Sequence, residues 1–88
     1  MQHESIDLLS QYLKIDTTNP PGNEHKGTAF FADIFEKEGV AYTVYEPDGA
    51  SGKGRCSISA RISGSGEEDP LILLNHIDVV PAEKEQWY

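Results

Sequence analysis

His76 and Asp78 are the residues of this chain whose types and spacing best suit chemistry. A neutral imidazole is a common ligand for a divalent metal. A carboxylate close by can hold the other ring nitrogen, which fixes the tautomer and raises the basicity of the ligand. The pair lies towards the end of the stretch Leu71-Ile72-Leu73-Leu74-Asn75-His76-Ile77-Asp78-Val79-Val80-Pro81. Side chains alternate along a strand, so in an extended chain His76 and Asp78 point to the same side. Taken by its spacing alone, the pair reads as a strand-end histidine and a turn or cap aspartate. Placement after an apolar strand favours the metal reading, because open α/β sheets put their sites at the carboxyl ends of strands.

Other chemical candidates are weaker. Gly49-Ala50-Ser51-Gly52-Lys53-Gly54 is glycine-rich and carries a lysine. A phosphate-binding loop needs four residues between its glycines and then Lys-Ser or Lys-Thr. Here two residues separate Gly49 from Gly52, and Gly54 follows the lysine. The segment reads instead as a flexible connection between two strands. Cys56 lacks any nucleophile motif and reads as a strand-core thiol. His3 and His25 fall at expected helix starts, on exposed positions.

The elements that must position the pair are two helices and three strands. Ile6, Leu9 and Leu13 recur at helical spacing, which predicts a helix over residues 5–15 with Ser5 as N-cap and Asp7 in its first turn. Thr17-Thr18-Asn19-Pro20-Pro21-Gly22 must end it, since two prolines and a glycine cannot continue a helix. This stiff polar loop is a candidate for contact with a site. Gly27, Phe31, Ile34 and Phe35 share one face of a second helix over 24–38, with Asn23 to cap it and Gly39 to stop it. Alternation then predicts strands over 40–46 and 56–62. The uniformly apolar run 71–75 predicts a third strand buried on both faces. The order helix, helix, strand, strand, strand implies a mixed sheet with helical cover, an α/β arrangement.

Eighty-eight residues with 38% apolar content make at most one small domain with a modest core. The formal net charge of -8 argues against nucleic acid and anionic membrane as partners. No apolar stretch approaches the length needed to span a bilayer. The amino terminus shows neither a basic region nor an apolar signal core, and the single Cys56 cannot form an internal disulfide. Together these features point to a reducing, cytoplasmic setting.

The segment Leu73-Leu74-Asn75-His76-Ile77-Asp78-Val79-Val80-Pro81, followed by Trp87, resembles the aminoacylase, desuccinylase and carboxypeptidase family of zinc-dependent metallopeptidases. Two further stretches carry the likeness in the expected order. They are Asp16-Thr17-Thr18-Asn19-Pro20-Pro21-Gly22-Asn23-Glu24 and Gly54-Arg55-Cys56-Ser57-Ile58-Ser59-Ala60-Arg61-Ile62. Asn75 departs from the glycine that many members carry before the histidine. The resemblance implies that residues 1–88 are the N-terminal portion of a three-layer αβα catalytic domain. It implies that His76 is one ligand of a two-metal zinc site, with cobalt or manganese as substitutes, and that Asp78 orients His76 or tunes the site. It implies hydrolysis of an amide bond in an N-acyl amino acid, a dipeptide or a similar small substrate. A dimerising domain inserted downstream would make the complete protein a homodimer. The family's remaining ligands and its general base lie beyond its tryptophan, so residues 1–88 alone are expected to be inactive. The contrasting expectation is a non-catalytic truncated chain or a small interaction module. Nucleotide binding through the glycine loop is a third, and would require ATP affinity lost on Lys53→Ala.

Overall fold

The computed structural model describes residues 3–47 and 54–87. Helix α1 spans Glu4–Leu13 and helix α2 spans Glu24–Glu38. Strand β1 spans Tyr42–Tyr45 and strand β2 spans Ser57–Ala60, and a 3-10 turn covers Lys84–Gln86. The glycine-rich segment Gly49 to Lys53 lies outside the described residues.

Helix α1 is capped two residues earlier than its sequence suggests. His3 is the N-cap, and its carbonyl accepts from the amides of Ile6 and Asp7 at 3.0 and 3.2 Å. Ser5 therefore sits inside the first turn, not at the cap. The helix closes with Ile15 donating its amide to the Tyr12 carbonyl at 3.0 Å. Helix α2 matches its expected bounds. Asn23 occupies the N-cap position without a side-chain capping bond, and its carbonyl takes the Lys26 amide instead. Gly39 ends the helix at φ 69, in the left-handed region that glycine adopts without steric cost.

The chain forms a mixed α/β arrangement. Its sheet is a two-stranded antiparallel pair with Tyr42 opposite Ala60 and Val44 opposite Ile58. The ordered strands are shorter than the alternating stretches that announce them. Among the described residues no hydrophobic side chain is fully buried. A row of half-buried rings does the packing instead. Tyr12 of α1 meets Phe31 at 4.9 Å between centroids, Phe31 meets Phe30 and Phe35 at 5.4 and 6.5 Å, and Phe35 reaches Tyr42 of β1 at 6.1 Å. Offset and edge-on ring pairs at such separations add to the area they bury.

The expected third strand does not form. Leu71, Ile72, Leu73 and Leu74 are 85, 82, 88 and 95% exposed, and residues 71–75 pair with nothing in the sheet. The run reads as a strand buried on both faces because it is uniformly apolar. Burial of that kind needs neighbouring strands and layers above and below, and a two-stranded sheet with two helices supplies neither at this position. The only parallel pairing among the described residues is an isolated bridge between Thr18 and Val79.

Candidate functional site

The loop after α1 is organised by its own polar side chains. Asp16 Oδ1 accepts from the Thr18 amide at 3.0 Å and from the Thr18 hydroxyl at 2.5 Å. An aspartate two residues ahead of a donor builds this kind of turn. These two donations hold the Asp16 carboxyl below the usual carboxylate range. The Gly22 amide returns to the Thr18 carbonyl at 3.0 Å, and both Asn19–Pro20 and Pro20–Pro21 are cis.

This loop grips the segment that carries the His76 and Asp78 pair. Thr17, almost fully buried, donates its hydroxyl to the Ile77 carbonyl at 2.8 Å. The Asn19 amide donates to the Val79 carbonyl at 2.8 Å, and the Val79 amide to the Thr17 carbonyl at 3.2 Å. Asn19 then reaches sideways, and its Nδ2 donates to Asp78 Oδ2 at 3.2 Å. From beneath, Gly27 of α2 leaves room for Ile77. A Cβ at position 27 would lie 2.7 Å from Ile77 Cγ2 and 3.4 Å from Thr17 Cγ2.

Within the segment the two candidate residues meet. His76 Nδ1 lies 2.9 Å from the Asp78 carbonyl oxygen and 3.4 Å from Asp78 Oδ1. A carbonyl oxygen only accepts, so Nδ1 carries the proton in this contact. In the neutral ring Nε2 then holds the lone pair. The His76 side chain is 85% exposed, while that of Asp78 is 37% exposed. The Asp78 carboxyl sits below its usual range, chiefly through the Asn19 donation and further through the positive field of Arg55.

Arg55 enters from the other side of the loop. Its Nε contacts Glu24 Oε1 at 2.7 Å, and the Glu24 side chain is 7% exposed. Glu24 Oε2 is buried without a hydrogen-bond partner. Gly22 has φ +100, and a Cβ there would collide with the Arg55 side chain. A Cβ on Gly54 would in turn come 2.5 Å from the Gly22 carbonyl oxygen. These two glycines let the Gly22 and Arg55 segments touch. Nearby, the Cys56 thiol donates to Thr28 Oγ1 at 3.1 Å, a half-buried packing contact rather than a nucleophile's setting.

His76 fits a metal as a single nitrogen ligand through Nε2, with its other nitrogen tied down in the usual manner of ligating histidines. Among the described residues no group of three or more His, Cys, Asp or Glu side chains is arranged to hold a metal ion. Sequence reasoning singled out His76 and Asp78 and flagged the 17–22 loop in general terms. It did not single out Asn19, Thr17, Gly27 or the Glu24–Arg55 pair as parts of the site. The run of polar residues before two prolines was the available signal.

Comparison with known proteins gives one further fact. Over 87 residues, 98% of this chain, the sequence is 28% identical to aminoacylase-1 of Dictyostelium discoideum. The likeness is distant and partial. The chain spans 20% of the length of that relative. No family model and no solved structure matches the chain. The similarity points to a hydrolase-like origin. No helix among the described residues is long and apolar enough to cross a membrane.

Proposed function

We propose that this chain is the amino-terminal portion of a cytoplasmic metal-dependent amidohydrolase or peptidase. The substrate class is an N-acyl amino acid, a dipeptide or a similar small amide. The observation that carries the reading is the state of His76. Its Nδ1 proton is committed to the Asp78 carbonyl at 2.9 Å, its side chain is 85% exposed, and Nε2 is the nitrogen left to ligate. The partial likeness to an aminoacylase supports the same class of reaction.

In this reading His76 would hold metal through Nε2, and Asp78 would keep the imidazole in the required tautomer. When bound, a pair of divalent ions, with zinc as first choice and cobalt or manganese as substitutes, polarises the scissile carbonyl and activates water. The remaining ligands and the general base belong to parts of the protein outside this chain, as does a dimerising domain. The folded layers completing a three-layer αβα domain would also cover Leu71 to Leu74. A catalytic zinc takes about three protein ligands, so the 88-residue chain alone is expected to hydrolyse nothing.

The test is made on the complete protein. His76→Ala is expected to abolish amide hydrolysis and to lower the bound-zinc content measured by atomic emission. Asp78→Asn is expected to weaken metal binding or turnover by roughly ten- to a hundredfold. Full activity and full zinc content in His76→Ala would exclude this site.

A further inference from the structure

We propose that Asn19 is a positioning residue for Asp78, and through it for the His76 imidazole. The inference deepens the metal reading and rests on it for its functional consequence.

The geometry gives the carboxylate two different neighbours. Oδ2 receives the Asn19 amide at 3.2 Å, and Oδ1 lies 3.4 Å from His76 Nδ1. A carboxylate attached by one rotatable bond to Cβ has a broad, roughly two-fold torsion. A single donor on Oδ2 fixes that torsion, and with it the direction of Oδ1. The Asp78 side chain is 37% exposed, so without the donor water would compete for both oxygens. Asn19 is itself fixed, because its main-chain amide donates to the Val79 carbonyl at 2.8 Å and Gly22 closes the turn behind it onto Thr18. The donor thus stands on a frame built from the same segment it positions.

The consequence falls on His76. Its Nδ1 proton goes to the Asp78 carbonyl at 2.9 Å, and the carboxylate Oδ1 lies beside the same nitrogen at 3.4 Å. Both favour the tautomer with the proton on Nδ1 and the lone pair on Nε2. Because 85% of the His76 side chain is exposed, packing does not fix the ring. Its orientation rests on these two oxygens, and the direction of Oδ1 is set by the Asn19 bond to Oδ2.

A role confined to loop stability is separated from positioning by comparing three variants. Asn19→Asp keeps the shape and the main-chain bonds but replaces the donor with an acceptor. Asn19→Ala removes the side-chain group altogether. Thr17→Val removes the hydroxyl bond to the Ile77 carbonyl without touching the carboxylate, and so measures what loosening the loop alone does.

The experiment uses the complete protein, stripped of metal and labelled with 15N-histidine, with His76 assigned by loss of its signals in His76→Gln. Ring 15N shifts above the imidazole pKa report the tautomer, and zinc alone, competed against a chromophoric chelator, reports affinity. Asn19→Asp and Asn19→Ala are expected to weaken the Nδ1-protonated preference, leaving only the Asp78 carbonyl to favour it, and to bind zinc roughly ten- to a hundredfold more weakly. Thr17→Val is expected to unfold earlier while keeping the tautomer. If both Asn19 variants keep the wild-type tautomer, or if Thr17→Val shifts it equally, the positioning role is overturned. If the wild type binds no zinc while the Asn19 variants still shift the tautomer, the metal reading falls and the orientation of His76 by Asn19 stands.

Discussion

Gly27→Ala sets two effects of opposite sign against each other. Alanine in a helix interior is favoured over glycine by about 0.5–1 kcal/mol. In α2 the new Cβ would lie 2.7 Å from Ile77 Cγ2. Carbon atoms prefer roughly 3.5–4.0 Å, so the contact is short by about 1 Å. The methyl it meets branches directly from the Ile77 Cβ and is stiff at χ1, so it cannot swing aside like the end of a long side chain. Thr17 Cγ2 at 3.4 Å and Tyr12 Cε1 at 3.8 Å close the other directions. Overpacking of this kind costs about 1–3 kcal/mol. The net expectation is a destabilisation of about 1 kcal/mol. The informative assay is a double-mutant cycle with Ile77→Ala, followed by urea unfolding. Removing Cγ2 leaves only the helix-forming benefit, so Gly27→Ala becomes stabilising in that background. The coupling between the two positions is then about 2 kcal/mol, well above the few tenths expected of independent sites. A coupling under about 0.5 kcal/mol, or a stabilising Gly27→Ala in the parent, would refute the close approach.

Arg55→Met should leave the Glu24 carboxylate buried at 5% exposure without its cation. Losing one partner of a fully buried pair costs about 3–5 kcal/mol, and the half-exposed guanidinium lowers this to about 2 kcal/mol. Urea unfolding checks it, and adding Glu24→Gln should recover part of the loss. Asp16, held below its usual range by Thr18, contributes stability that is fully present above the unfolded value of about 3.9 and is lost as pH falls through the lower folded value. Thr18→Val should raise the Asp16 pKa in a carboxyl 13C titration, and an unchanged value would remove the hydroxyl from the account. The exposed run Leu71 to Leu74 should make the isolated chain self-associate. Ile72→Lys with Leu74→Lys is expected to give a monomer in sedimentation at concentrations where the parent associates, and a monomeric parent would contradict this.

Local features were legible in the sequence. Helix α2 could be bounded because Asn23 and Gly39 frame an uninterrupted helical pattern. The two alternating stretches became β1 and β2, shorter than the alternation, with the Arg61 amide still donating to the Ala41 carbonyl at 3.4 Å just beyond the paired residues. The cap of α1 lies two residues ahead of Ser5, the better capping type, because the chain turns at His3. The Leu71 to Leu74 run misled because composition reports how a segment would pack, not whether its cover is present. At the site, His76 and Asp78 could be paired from spacing two apart. Thr17, Asn19 and Gly27 could not be joined to them, because nothing local in a sequence records a contact across 59 or 60 positions. Gly27 looked like one member of a helix face, when its lack of a side chain is what admits Ile77.

The reach of those contacts also orders how the molecule assembles. The hairpin joins Tyr45 to Ser57, twelve positions apart, whereas Thr17 meets Ile77 across 60. Loop-closure entropy rises with the logarithm of length, so the longer closure costs about 1.4 kcal/mol more, roughly a tenfold disadvantage. No regular strand or helix extends into residues 76–79 to share that cost. The chemistry-bearing tip is therefore the last piece to be gathered in and the first to let go. Amide exchange at Asn19 and Val79 should outpace that of the paired β1 and β2 amides, each such opening freeing the His76 segment while the hairpin stays intact.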